Sequence, residues 1–343
     1  MSWYDSPDDD DDEEYGEYDE SDAKVRPNPK GNRPRTKTRP AHENAVPARI
    51  LSVDRGRYAA LVAEGEPDEH ELIARTAREL GRGAVVTGDI VDLVGDTSGD
   101  EGSLARIVRV QERSTVLRRS ADDTDAVERV IVANADQMLI VIAAANPEPR
   151  ERLVDRYLVA AYDARIAPML CITKTDLRDP TEFLANFIGL DIPVFLSRSD
   201  DPPLEQIRAA LEGHVTVTVG HSGVGKSTLV NALTGSERAV GRVNDVTGRG
   251  RHTSSSSLAI RVQGGWIVDT PGVRSFGLGH VDPDNILGAF PDLAELALEC
   301  PRGCTHLPDA PDCAINEGVA DGRLGELGAA RLESFQRLLA SLT

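Results

Sequence analysis

The sequence predicts a multidomain chain: an N-terminal β-barrel, a central α/β domain with a mostly parallel sheet, and a C-terminal α-helical region around a cysteine cluster. Three observations carry this. Short alternating apolar runs fill residues 45–118, apolar runs alternate with helical patterns from Val130 to Leu233, and three of the four cysteines lie between Cys300 and Cys313. At 343 residues the chain also exceeds the ~250 at which a single core stops growing.

Residues 1–44 are set apart by charge. Asp5 to Asp22 hold twelve acids and no base, while Lys24 to Arg39 hold seven bases and no acid, interleaved with Pro, Gly and Asn. Neither block has apolar surface to bury, so both are expected to be disordered. The first reads as a solubilising acidic tail, the second as a basic arm that either touches RNA or simply links. A net charge of −19 argues against a general affinity for phosphate backbone. RNA contact would have to come from the arm or from local residues such as Arg49, Arg55, Arg57, Arg106 and Arg109. The longest apolar run, Met138 to Ala145, falls well short of the ~20 residues of a membrane helix, and the N-terminus is acidic where a signal peptide is basic. A cytoplasmic, monomeric protein with no membrane partner is expected.

In 45–118 the runs Ile50–Val53, Tyr58–Val62, Ile90–Val94 and Leu104–Val110, with a turn at Asp54-Arg55-Gly56-Arg57, read as about five strands. A barrel of the OB type is the natural closure, although the pattern does not separate it from an SH3-like barrel. In 119–281, strands are expected at Met138–Ala144, Pro168–Ile172, Pro193–Leu196 and Val215–Val219. Helices are expected over Arg150–Tyr162 and Leu204–Leu211, so the sheet should be covered on both faces. Ser257–Asp269 reads as a hairpin turning at Gly264-Gly265. Residues 282–343 should be helical at both ends.

The chemistry begins at Gly220-His221-Ser222-Gly223-Val224-Gly225-Lys226-Ser227, which fits GxxxxGK[ST] between a β-branched strand and a helix. Its glycines let successive N–H groups face phosphate, and the helix N-terminus, including Thr228, adds its positive end. Lys226 is placed to reach the β and γ phosphates and Ser227 to ligate Mg2+. This loop does not choose between ATP and GTP. Thr173-Lys174-Thr175-Asp176, at the end of the strand Pro168–Ile172, does. A carboxylate accepts from both guanine N1–H and N2–H2, a pairing adenine cannot offer. The usual first residue here is Asn, so Thr173 is expected to loosen the link to the phosphate loop. At Ser197-Arg198 a backbone N–H is placed to meet guanine O6. Asp269-Thr270-Pro271-Gly272 supplies a carboxylate for a magnesium-bound water and the Gly272 N–H for the γ phosphate. Thr253, in the basic loop Gly248–Ser254, completes the metal shell.

Cys300, Cys304, His306 and Cys313 give C-x3-C-x-H-x6-C, three thiolates and an imidazole suited to one closed, structural, tetrahedral Zn2+. Cys171, within an apolar run, reads as a core residue.

Base recognition thus precedes the phosphate loop, a circular permutation of the common GTPase order. That order, between a barrel and a Cys/His cluster and with the GRGRHT and DTPGV segments, resembles the RsgA (YjeQ/YloQ) family of small-ribosomal-subunit biogenesis GTPases. The resemblance implies an OB-type barrel, a permuted GTPase domain and a zinc domain. It also implies a GTP/GDP cycle in late subunit maturation, with the small ribosomal subunit and its rRNA as partners. Val273 stands where Ras-like enzymes carry the water-positioning glutamine. Slow intrinsic turnover is therefore expected, with His252 or a ribosomal group orienting the attacking water. Because Asp269 to Gly272 leads directly into the cysteine region, nucleotide state is expected to move that region. A reading of a different class is an RNA-binding module whose nucleotide site is incidental or regulatory; intact Lys226, Ser227 and Asp269 favour the enzyme.

Overall fold

The computed structural model describes residues 42–78, 80, 84–120, 128–235, 257–270, 276, 278–279 and 281–342. The acidic tail and basic arm lie outside these residues.

The barrel is built from β1 (Val46–Asp54), β2 (Arg57–Val62), β3 (His70–Thr76), β4 (Ile90–Gly95) and β5 (Ala105–Val110). Arg55 and Gly56 both take positive φ between paired Asp54 and Arg57, the geometry that matches a two-residue turn to strand twist. Strand order runs β1-β2-β3-β5-β4 and closes by β1–β4 pairing, with β3 and β5 parallel and the other pairs antiparallel. This is the five-stranded Greek-key closure of the OB fold, and it decides against the SH3-like alternative. Alternate residues such as Leu72 and Ala74, Val91 and Leu93, and Ala105 and Ile107 fill the interior.

A hairpin of β6 (Val116–Ser120) and β7 (Glu128–Ala133) leads out of the barrel, so the 118/119 division falls inside β6. Gly88 (φ +89°) lies so close to this hairpin that a Cβ would sit 2.1 Å from the Ala133 carbonyl oxygen. Only glycine permits that approach.

The central sheet contains β8 (Gln137–Ala143), β9 (Ala167–Thr173), β10 (Val194–Leu196), β11 (Val215–Val219), β12 (Leu258–Val262) and β13 (Gly265–Asp269). They are ordered β10-β9-β8-β11-β13-β12, all parallel except the β12/β13 hairpin. β12 then bridges β1 at Leu258–Ser52, which makes barrel and central strands one continuous sheet. Helices α1 (Glu151–Asp163), α2 (Thr181–Ala185), α3 (Leu204–Leu211) and α4 (Lys226–Thr234) connect these strands. Two hydrophobic clusters result, one holding α1 residues such as Val154 and Tyr157, the other holding Ile207 and Leu211 of α3 with Leu229 and Leu233 of α4. Trp266 of β13 is gripped by the barrel. Its Nε1 donates to Glu64 Oε1 at 2.7 Å, and the Arg49 and Arg261 guanidinium groups lie over its ring.

The last region comprises α5 (Pro283–Leu287), α6 (Pro291–Ala297), α7 (Ala314–Ala320) and α8 (Gly328–Ala340), with the cysteines between α6 and α7 and at the start of α7. It is docked on α1 by the ion pair of buried Asp155 with half-buried Arg337 at 3.1 Å and by Phe290, whose ring meets Tyr162 edge-on and packs at a tilt against Phe335. α8 also crosses the 3-10 turn Ile188–Leu190, where a Cβ on Gly189 would lie 2.4 Å from the Ala330 carbonyl oxygen.

Candidate nucleotide site and cysteine centre

Dispersed in sequence, the candidate residues gather at one edge of the sheet. Gly220 follows the C-terminal end of β11, Asp269 ends β13, Thr173 ends β9 and Ser197 follows β10. Parallel α/β sheets bind ligands outside these carboxyl ends, where the chain leaves in opposite directions from adjacent strands. β11 lies between β8 and β13, so the phosphate loop opens centrally.

The loop shape follows from its glycines. Gly223 and Gly225 take φ of +84° and +92°, and a Cβ on Gly220 would meet the Val141 carbonyl oxygen at 2.5 Å. Val224 turns inward to anchor the loop, while Ser222, Ser227 and Thr228 remain exposed. His221 is half-buried, its Nδ1 3.1 Å from the Ser222 carbonyl oxygen. Lys226, at the start of α4, forms an ion pair with Asp269 Oδ1.

Thr173 corrects one expectation. Its hydroxyl donates to the Val224 carbonyl of the phosphate loop and, at 3.2 Å, to the Ile142 carbonyl, so the link between the two loops is kept. A single hydroxyl close to both carbonyls does the tethering. Lys174 (φ +58°) adds a second strut, its ammonium donating to Gly223 O at 2.8 Å and to Asn146 O. Asp176 is already oriented. Ser199 N–H and Oγ donate to its Oδ1 at 3.0 and 3.1 Å, and the backbone donor holds this carboxyl below the usual carboxylate range. The Ser197 N–H is spent on Ile172 O at 2.8 Å, which leaves Arg198 as the backbone donor of that pair. The Arg198 side chain pairs with Asp200.

His252, Thr253 and Gly272 lie outside the described residues. Sequence reasoning missed Asn146, Ser199 and Thr218, whose hydroxyl lies 3.3 Å from Asp269 Oδ1. None stands in a motif; strand register brings in Thr218, and the loops that follow β8 and β10 bring in Asn146 and Ser199.

Arg49 is committed to Glu64 and Trp266, and Arg109 to Asp92, so the five arginines considered for RNA do not act as one free face. Arg75, Arg78 and Arg106 instead line one open pocket at the β3–β5 seam, with no ion pair among the described residues.

The cysteine centre passes a geometric test. The four ligand atoms of Cys300, Cys304, His306 and Cys313 lie within 4.8 Å of one another. Cys300 Sγ to His306 Nδ1 is 3.7 Å, Cys313 Sγ to His306 Nδ1 is 3.8 Å and Cys300 Sγ to Cys313 Sγ is 4.0 Å. A zinc tetrahedron with bonds of about 2.0–2.3 Å has edges of about 3.5–3.8 Å, so Cys300, His306 and Cys313 stand near tetrahedral spacing and the full set would draw in by up to about 1 Å to hold the metal. Burial lowers the His306 pKa, which favours the neutral, ligating imidazole. Cys171 stands apart, fully buried, with its thiol pushed up to about 12 by burial, as a core residue should be.

A sequence profile of the RsgA GTPase family matches residues 110–279. The chain is 37% identical over 273 residues to the small ribosomal subunit biogenesis GTPase RsgA of Pseudomonas aeruginosa, covering 76% of each protein. The chain belongs to the RsgA GTPase family. The RsgA of Azotobacter vinelandii is 35% identical over 292 residues, covering 81% of this chain and 82% of the relative. Among solved structures, YloQ, described as a circularly permuted GTPase, superposes with a TM-score of 0.62 at 24% identity, covering 88% of this chain and 96% of YloQ. YjeQ from Thermotoga maritima gives 0.62 at 22%, covering 87% and 98%. The RsgA fold explains the rotated motif order. Read from β11, the strands run β11, β12, β13, β8, β9, β10 and rebuild an ordinary nucleotide-binding sheet, so permutation changes connectivity and leaves the site in place.

Proposed function

We propose that this chain hydrolyses GTP in late maturation of the small ribosomal subunit, gripping the subunit and its rRNA with GTP bound and releasing after hydrolysis. The observation that carries the reading is the convergence of the pre-oriented Asp176 carboxylate and the phosphate loop, tied together by Thr173 and Lys174. The names of its RsgA relatives support the ribosomal part.

In this reading Asp176 accepts from guanine N1–H and N2–H2, the Arg198 N–H donates to O6, and the Lys174 stem lies over the base. Gly220 to Thr228 present backbone donors to the phosphates, and Lys226 turns from Asp269 to the β and γ oxygens. Ser227, Thr253 and Asp269 would hold Mg2+, which supplies positive charge against the phosphate oxygens. Gly272 N–H contacts the γ phosphate, and His252 or a ribosomal group orients the water that attacks phosphorus, leaving GDP and phosphate. Cys300, Cys304, His306 and Cys313 hold one structural Zn2+, keeping the region beside α1 folded. Exposed Arg75, Arg78 and Arg106, with the basic arm, give an acidic monomer local contacts for rRNA. A cytoplasmic location follows from that substrate.

GTP turnover is measured with and without purified small subunits. Slow intrinsic hydrolysis and strong stimulation are expected; absence of stimulation removes the ribosomal reading and leaves the GTPase reading. Asp176→Asn should shift preference toward xanthosine triphosphate, and unaltered preference would exclude the assigned base contact.

A further inference from the structure

We infer that Thr218 is a positioning residue for the metal side of the site, its hydroxyl holding the Asp269 carboxylate once Lys226 engages phosphate. The inference rests on the GTPase reading above.

Thr218 lies on β11, two residues before the phosphate loop, and has no exposed surface. Parallel register pairs it with Asp269 of β13, so the two side chains share one face of the sheet. Its hydroxyl lies 3.3 Å from Asp269 Oδ1 and 3.4 Å from the Val268 carbonyl oxygen. Both distances are long against the ~2.8 Å typical of hydroxyl donors, as expected for one proton shared between two acceptors. Asp269 Oδ1 is meanwhile paired with Lys226. Removing Lys226 to the phosphates leaves Thr218 as the strand's own donor to that carboxylate.

Strand formation does not account for a hydroxyl here. Val215, Val217 and Val219 serve the same strand without a polar atom, and a buried hydroxyl is disfavoured unless paired. Thr216, the other buried threonine of β11, has a structural partner in Gln137 Oε1 at 2.9 Å. Thr270, 1% exposed, donates to the Thr218 carbonyl at 2.7 Å and fixes the two strands where the carboxylate leaves. Thr218 therefore sits on a pinned backbone with its hydroxyl directed at the proposed metal-side acid. Hydrogen-bonded partners of metal-side carboxylates set their orientation and so the affinity for the metal.

The test is release of a fluorescent GDP analogue from the full chain, across a Mg2+ titration and in EDTA. Thr218→Val and Thr218→Ala should raise the Mg2+ concentration for half-maximal slowing about tenfold. Release in EDTA should stay at the wild-type rate, and Thr218→Ser should restore the wild-type midpoint. An unchanged midpoint in Thr218→Val, or in Thr218→Ala if the valine variant fails to fold, overturns the inference alone. So does equal acceleration with and without Mg2+, which marks general loosening of the site. Wild-type release that ignores Mg2+ overturns the GTPase reading and the inference together.

Discussion

Replacing Thr173 by Val tests whether one hydroxyl does the work of the asparagine that usually opens this motif. Valine keeps the branched shape, so the side chain fills the same buried space beside the phosphate loop. What goes is the donor to Val224 O and Ile142 O, in a place where Thr173 is only 6% exposed. A buried acceptor left without its partner costs about 1–3 kcal/mol. Val224 lies inside the phosphate loop, so the cost should appear as reduced population of the binding-competent loop. At 1.4 kcal/mol per decade, affinity for GTP and GDP should fall roughly 5- to 150-fold. The base contacts of Asp176 are untouched, so GTP and ITP should weaken by the same factor. Titration with fluorescent nucleotides measures all three, and Thr173→Ser should recover most of the loss. Wild-type affinity in Thr173→Val, or a loss confined to guanine, would refute the strut.

Other expectations are more local. His70 places Nδ1 2.7 Å from Asp68 O and Nε2 2.8 Å from Thr97 O, and both contacts are hydrogen bonds only when the ring is protonated. The Asp68 carbonyl, followed by that of Thr97, raises its pKa, so its contribution is complete below the unfolded value of about 6.5 and lost as pH climbs through the folded value. The melting-temperature difference between wild type and His70→Asn should shrink from pH 5.5 to pH 8.5; a constant difference would count against the protonated ring. Gly189→Ala would drive a methyl to 2.4 Å from Ala330 O, and unfolding in denaturant should show a loss of about 1–3 kcal/mol. Cys304→Ser should remove bound zinc, measured by metal analysis, and unfold residues 282–343 while leaving nucleotide affinity of the sheet edge in place.

Much of this was legible in the sequence because each motif marks a strand end. The runs Pro168–Ile172 and Val215–Val219 need only their flanks to be placed, and the apolar pattern gives helix Leu204–Leu211 to the residue. β3 was not read. His-Glu-Leu-Ile-Ala-Arg-Thr contains good helix formers, and barrel closure overrides that local preference. The outcome at Thr173 was hidden for a similar reason, since distance to Val224 depends on how β9 and β11 flank β8. Asn146 acts through its carbonyl, and Ser199 through both its N–H and its hydroxyl, and neither stands in a motif that marks it. Arginine count also misled, because Arg49 spends its charge on Glu64 and the Trp266 ring. The expected coupling of nucleotide state to the cysteine region meets a physical constraint in Asp155–Arg337: separating the region from α1 would strip a carboxylate that is 2% exposed of its partner.

The strand order has a consequence for synthesis at the ribosome. As the chain emerges N-terminus first, the barrel and then β8, β9 and β10 precede the phosphate-loop strand. β11 therefore arrives to find β8 already made and adds beside it; β12 emerges next, and β13 then enters between β11 and β12. The nascent sheet can grow outward from β8 in both directions, β9 and β10 on one side and β11 and β13 on the other. In the common order the phosphate-loop strand comes first and must wait for partners on both sides. The Ser52–Leu258 bridge joins β12, at the edge of this sheet, to β1, the first strand made. β1 also pairs with β2 and β4 inside the barrel, so the nucleotide sheet and the N-terminal domain share that strand.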